Sequence, residues 1–213
     1  MKVKMSLLIP FTIFFFSCGN VEKEPGNEES AKTEEIKTDS SVSVEAAPLP
    51  EVLPYLNQLE YGKIKFAISS PQSATANKFT VAPSGFTMSN DTLTMDCEGI
   101  IINSEVGDLD GDNAPELLVV TQSGPDKKGK AYVFSANKNK SMSMVSLPDI
   151  FSDPKNTSGY AGHDEFALVE NSFSHRFPLY ENGNATNKTR QFQYKLKPGE
   201  AMKKLVLNKT VEF

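Results

Sequence analysis

The densest chemistry in this 213-residue chain lies in Asp108-Leu109-Asp110-Gly111-Asp112-Asn113-Ala114-Pro115-Glu116. Asp108, Asp110, Asp112 and Glu116 occupy positions 1, 3, 5 and 9, a spacing that lets carboxylates converge on one hard cation such as Ca2+ while the backbone turns. The same residues also suit a polar turn between extended runs 100–105 and 116–121, in which carboxylates accept from backbone N–H groups. Both readings stand at this level, so Ca2+ is a possible ligand and no cofactor is required. A second candidate follows in Ser123-Gly124-Pro125-Asp126-Lys127-Lys128-Gly129-Lys130-Ala131-Tyr132. Three lysines and two glycines between apolar runs predict an exposed hairpin tip, suited to an anionic groove or simply to solvent.

The acidic loop is similar to the calcium loops of integrin repeats and dockerins. It departs from the EF-hand, because Val119 stands where a bidentate Glu is needed and no helix pair flanks it. It occurs once, which argues against a propeller of repeated cation-binding blades. The two histidines suggest structural roles. His163 and Asp164 are adjacent on an extended segment and face opposite ways, while His175 alternates with Phe173 and Phe177 and reads as surface-facing. No nucleophile elbow accompanies either, so the chain reads as a non-enzyme. Cys97, on a strand, reads as a packing thiol.

These sites need a compartment and a scaffold. Lys2 and Lys4 precede an apolar run, Leu7–Phe16, that is about half the length a bilayer span requires. Ser17-Cys18-Gly19 follows, so residues 1–18 read as a secretory signal of bacterial lipoprotein type, with Cys18 as the lipidated residue and membrane anchor. An ordinary signal peptide with an incidental cysteine is the alternative. The expected location is the bacterial cell envelope, periplasmic or at the outer-membrane surface. Residues 19–54 are rich in Glu, Ser, Thr, Lys and Pro and contain no aromatic residue, a composition that cannot offset the entropy of ordering. They are expected to form a disordered tether, or else a solubilising leader. The formal charge of -5 divides as +2 over 1–18, -6 over 19–54 and -1 over 55–213. The acidity belongs to the tether, and a nearly neutral domain does not suggest nucleic-acid binding.

From residue 55 onward the pattern is of short extended runs broken by turn residues. Lys78–Ala82, Gly85–Ser89, Thr92–Cys97, Ile100–Glu105, Glu116–Thr121, Lys130–Ser135, Ser141–Leu147, Glu165–Glu170, Ser174–Tyr180, Arg190–Leu196 and Leu205–Phe213 all read as strands. Ser89-Asn90-Asp91 reads as a hairpin turn that places Phe86 and Met88 on one face, opposite Leu93 and Met95. The fold class is therefore all-β: an antiparallel β-sandwich of about ten short strands, over residues 55–213.

An ordered series of segments carries a resemblance. Gly85-Phe86 with Asn90-Asp91-Thr92-Leu93, Gly107-Asp108-Leu109-Asp110-Gly111-Asp112 with Pro115-Glu116-Leu117, and Phe134-Ser135-Ala136-Asn137-Lys138 resemble the periplasmic inhibitors of invertebrate-type lysozyme. So do Gly159-Tyr160 with Gly162-His163-Asp164-Glu165-Phe166, Arg176-Phe177-Pro178-Leu179-Tyr180, and Gln193-Tyr194-Lys195-Leu196 with Pro198-Gly199-Glu200-Ala201. The resemblance implies a secreted β-sandwich, often a homodimer, that inserts an exposed Ser/Gly/Tyr loop into a lysozyme cleft. By position that loop is 123–129. Ser123 and Gly124 match, and no tyrosine lies before Gly129; Tyr132 follows inside the next strand. Lys127 and Lys128 then become the groups able to meet the cleft's catalytic carboxylates. The partner that the resemblance implies is a lysozyme of invertebrate type. The alternative is a non-inhibitory, calcium-stabilised binding module of the envelope.

Overall fold

The computed structural model describes residues 53–73 and 77–213. The 1–18 signal, Cys18 and residues 19–52 of the tether lie outside the described residues. Among those described, no helix is long and apolar enough to cross a membrane. The described residues form an all-β fold of twelve strands in three four-stranded antiparallel sheets.

The first sheet contains β1 (Tyr55–Tyr61), β2 (Ile64–Ser70), β3 (Asn77–Ser84) and β4 (Leu93–Cys97), in that spatial order. The second contains β5 (Ile100–Gly107), β6 (Glu116–Ser123), β7 (Lys128–Ala136) and β8 (Met142–Met144). The third is ordered β12-β11-β10-β9, from β9 (Glu165–Val169), β10 (Ser172–Glu181), β11 (Asn184–Lys197) and β12 (Lys204–Glu212). A 3-10 turn at Ile150–Ser152 and one helical turn, Pro154–Thr157, lead from the second sheet to the third; Asp149 and Asp153 cap them by accepting from the N–H groups of Phe151 and Lys155.

Side-chain periodicity explains why three sheets form. On β2, alternate residues Ile64, Phe66 and Ile68 are buried and their neighbours are not, as expected of a strand with one wet face. By contrast, Glu116 to Thr121 on β6 are buried without interruption. A continuous apolar run of this kind marks a strand covered on both faces. Leu117 and Val119 join Phe66, Phe79 and Phe134 in one core; Leu118 and Val120 join Phe173, Phe177 and Phe192 in another. The second sheet is thus the middle layer between two apolar clusters. T-shaped contacts of Phe79 with Tyr132 and Phe134, at 5.0 and 6.3 Å, tie the first sheet to it.

Local turn chemistry sets several registers. Asn182 and Gly183 both have positive φ, 51° and 79°, and link β10 to β11 in a two-residue hairpin with Glu181 opposite Asn184. Between the first and second sheets, the Gln72 amide donates to the Ile101 carbonyl at 2.8 Å, and its oxygen accepts from the Ile101 N–H at 2.9 Å. One side chain there behaves as a strand partner.

Three expectations are corrected. Residues 85–89 are not a strand: they open the loop between β3 and β4, where the Asn90 side chain bonds both the N–H and the carbonyl of Phe86. Phe86 is buried and Met88 is 76% exposed, so the two do not share a face. The extended run 141–147 contracts to β8: the Val145 N–H still donates to the Val133 carbonyl of β7 at 2.8 Å, but Ser146 turns to the third sheet and bridges to Lys204. Finally, β1 and β2 add two strands ahead of Lys78 that the reading of extended runs did not assign.

Candidate functional site

The hairpin joining β6 to β7 closes with Ser123 opposite Lys128, and its tip is Gly124–Lys127. Gly124, Pro125, Asp126, Lys127 and Lys128 are exposed. Gly124 and Lys127 both take positive φ, 68° and 50°, and the Lys127 N–H donates to the Gly124 carbonyl at 3.2 Å. Among the described residues, neither Lys127 nor Lys128 forms an ion pair, so both ammoniums are available to a partner. Tyr132 is not: it is 6% exposed and packs on Phe79, and burial pushes its phenol above the usual range. Its assignment to a contact loop is corrected, because its position on β7 turns it into the first core.

The tip is held from behind. The His163 N–H donates to the Asp126 carbonyl at 2.8 Å, and the Asp164 N–H donates to the Lys127 carbonyl at 3.3 Å. Gly162 makes this approach possible, since its φ is 88° and a Cβ there would stand 2.1 Å from the Asp126 carbonyl oxygen. Asp164 is 2% exposed and serves three donors: the Gly129 N–H at 2.8 Å, the Tyr160 hydroxyl at 2.7 Å and His175 Nε2 at 2.6 Å. A carboxylate can only accept, so its 2.6 Å contact with His175 is a hydrogen bond in the tautomer that carries a proton on Nε2. Burial, and then the Asp164 carboxylate, push the Tyr160 phenol well above its ordinary range, so it remains a donor.

His175 is 5% exposed, correcting the surface-facing expectation. It stacks on Phe166 at 4.3 Å, and the short-range alternation with Phe173 and Phe177 reflects one buried face rather than a wet one. His163 turns the other way, with Nδ1 3.3 Å from the Tyr180 hydroxyl. No Ser, Thr or Cys side chain hydrogen-bonds either imidazole among the described residues. Cys97 is partly buried, and burial and then Asp96 raise its thiol above the usual range, which makes it a poor nucleophile.

The acidic loop is organised around an internal cation. Asp110 and Asp112 lie 2.7 and 3.1 Å from Lys203 Nζ, and Glu116 Oε1 lies 3.4 Å from it. Asp108 instead accepts from the N–H groups of Gly111, Asp112 and Asn113, at 2.7, 3.2 and 2.9 Å. Glu116 is fully buried and accepts from the Leu109 N–H and the Ser135 hydroxyl. Carboxylate oxygens of Asp108, Asp110 and Glu116 lie within 4.8 Å of one another, close enough to share a metal ion. The Lys203 ammonium touches two members of that cluster, Asp110 and Glu116, and offsets one of its negative charges. Burial opposes its charge, but the bonds to Asp110 and Asp112 and the field of Glu116 outweigh burial and raise the lysine above its ordinary range. Sequence reasoning missed Lys203, which is brought to the loop by the backbone bond from the Ser146 N–H to the Lys203 carbonyl, 3.0 Å long.

Comparison with protein-family models, with curated proteins and with solved structures returned no match.

Proposed function

We propose that this chain is a lipid-anchored binding protein of the bacterial envelope that inhibits a lysozyme by presenting the β6–β7 hairpin tip to its active-site cleft. The observation that carries the reading is a charged tip with its backbone fixed in advance. Lys127 and Lys128 are exposed without ion-pair partners, while His163 and Asp164 bond the carbonyls just behind them. Fixing a loop before contact lowers the entropy lost on binding. The tip's two ammoniums complement a cleft that carries catalytic carboxylates. The ordered resemblance to inhibitors of invertebrate-type lysozyme supplies the class of target. Lipidation at Cys18 and the acidic tether would hold the domain at the membrane surface.

The calcium-stabilised, non-inhibitory module has less support, because Asp110, Asp112 and Glu116 already share an internal cation, the Lys203 ammonium. The test is lysis of cell-wall suspensions by lysozymes of the invertebrate, chicken and goose types, with purified protein added. Inhibition of one class at micromolar concentration is expected, weakened at least tenfold by combined Lys127→Ala and Lys128→Ala with the fold retained. Absence of inhibition toward every class refutes the proposal, and full potency in the double variant moves the contact elsewhere.

A further inference from the structure

A cleft of about 300 Å3 opens between the middle and third sheets, beside the 3-10 turn at 150–152. It is separate from the acidic loop and adjoins the base of the β6–β7 hairpin, where Gly129, Lys130 and His175 line it. Its walls are apolar and strongly aromatic: Leu147, Phe151, Phe166, Phe173, Tyr194 and Leu205. Phe166 stacks on Phe173 at 5.9 Å and Phe173 leans on Tyr194 at 5.5 Å, which makes one continuous aromatic wall.

Tyr194 is the unusual member. Its side chain lies in the second core with 3% exposure, yet its hydroxyl makes no hydrogen bond among the described residues. Buried tyrosine hydroxyls normally find a partner, because an unmet polar group in an apolar site is costly. Tyr160 shows the ordinary solution, donating to Asp164. Among the described residues the sealed side-chain oxygens without partners are Thr121 Oγ1 and Asn139 Oδ1; the Tyr194 oxygen is not sealed, and Tyr194 lines the cleft.

We propose that this cleft binds a small neutral aromatic molecule bearing one hydrogen-bond acceptor, with its ring against Phe166 and Phe173 and its acceptor on the Tyr194 hydroxyl. Size follows from volume: about 300 Å3 lies at the small end of the range for small-molecule sites, which suits a single-ring ligand. Ring character follows from the wall, since aromatic pairs gain from offset or edge contacts beyond area burial. Neutrality follows from the rim, where Lys130 and Asp149 carry opposite charges and Lys130 is already paired with Glu98 at 3.1 Å. The acceptor follows from the phenol, whose O–H has no other recipient. His175 also lines the cleft, with Nε2 committed to Asp164, and an apolar pocket with a few placed polar groups is the ordinary form of a small-molecule site.

The test uses the purified full chain, observing methyl resonances of Leu147 and Leu205 while acetophenone, ethylbenzene, 1-octanol or benzoate is added. Acetophenone is expected to give saturable shifts at both leucines and to bind more tightly than the other three. Tyr194→Phe should weaken acetophenone about fivefold to tenfold, the usual worth of one hydrogen bond, and leave ethylbenzene unchanged. Ala131→Leu, which extends a side chain into the cleft from β7, should abolish binding and provides a second variant if Tyr194→Phe does not fold. No saturable shift, equal loss of acetophenone and ethylbenzene in Tyr194→Phe, or undiminished binding in Ala131→Leu overturns the proposal. Octanol or benzoate binding as tightly as acetophenone overturns the ligand class.

Discussion

Replacing Lys203 by Met removes the ammonium from the acidic loop while keeping most of its apolar stem. The cost depends on which carboxylates can return to water. Asp110 and Asp112 retain 24% and 34% of their side-chain exposure and can rehydrate, so each contributes little. Glu116 has none and cannot. It keeps its bonds from the Leu109 N–H and Ser135, which holds the loss below the 3–5 kcal/mol typical when a buried pair is broken outright. A loss of about 2–3 kcal/mol follows, near the worth of one charge-assisted hydrogen bond. In a domain of this size that lowers Tm by roughly 4–12 °C. The pH dependence has a definite sign. Burial raises the Glu116 carboxyl above its ordinary value, and the nearby Lys203 partly restrains that rise. A carboxyl raised in the folded state binds its proton more tightly there, so stability falls as pH increases from the unfolded value up through the folded one. Without Lys203 the window widens upward. The deficit of Lys203→Met should therefore be greatest at pH 7–8 and shrink as pH falls toward 5. Thermal melts across that range, on single variants and on Lys203→Met combined with Glu116→Gln, make the measurement. The second change should recover at least half of the loss. A Tm within about 2 °C of the parent at pH 7, a deficit independent of pH, or no recovery with Glu116→Gln refutes the assignment of Lys203 as the loop's cation.

Other outcomes test the surrounding geometry. Millimolar Ca2+ or EDTA should leave the parent Tm unchanged, since Lys203 already serves the cluster; a calcium-dependent rise abolished by Asp108→Ala would restore the metal reading. Gly162→Ala places a methyl against the Asp126 carbonyl at a positive φ, and should cost about 1–3 kcal/mol in denaturant unfolding and weaken inhibition more than it lowers stability. Asp164→Asn leaves one of three donors facing an amide N–H2, so a loss of about 2–3 kcal/mol is expected, together with faster amide exchange at Gly129. Leu118→Ala, in the doubly covered strand β6, should cost about 2–5 kcal/mol with no effect on the hairpin tip's contacts.

Much of the scaffold was legible because strands advertise themselves locally. The alternation in residues 92–97 and the apolar run at 116–121 correspond to β4 and β6, and the Lys-rich segment between apolar runs is a hairpin tip. The same local rule failed at Phe86 and Met88, where loop bonds to Asn90 and to the carbonyls of Asn139 and Lys140 override period-2 alternation. It failed at His175 because a polar residue between phenylalanines reads as wet unless its buried acceptor is known. Asp164 lies eleven positions away on another segment.

The sequence by itself determined an all-β chain, the placement of its acidity in a leading segment, and the two loops richest in charge. Each follows from composition or from neighbours within a few positions, where short-range sterics and solvation act. Only the tertiary structure decided that β6 is buried on both faces, which takes two further sheets to cover it. It likewise decided that Tyr132 and Tyr194 face inward and that the acidic loop meets Lys203, 91 to 93 positions away from two of its partners. The physical reason is common to all three: which groups share a desolvated space depends on how sheets stack, and no local pattern encodes the partner across the gap.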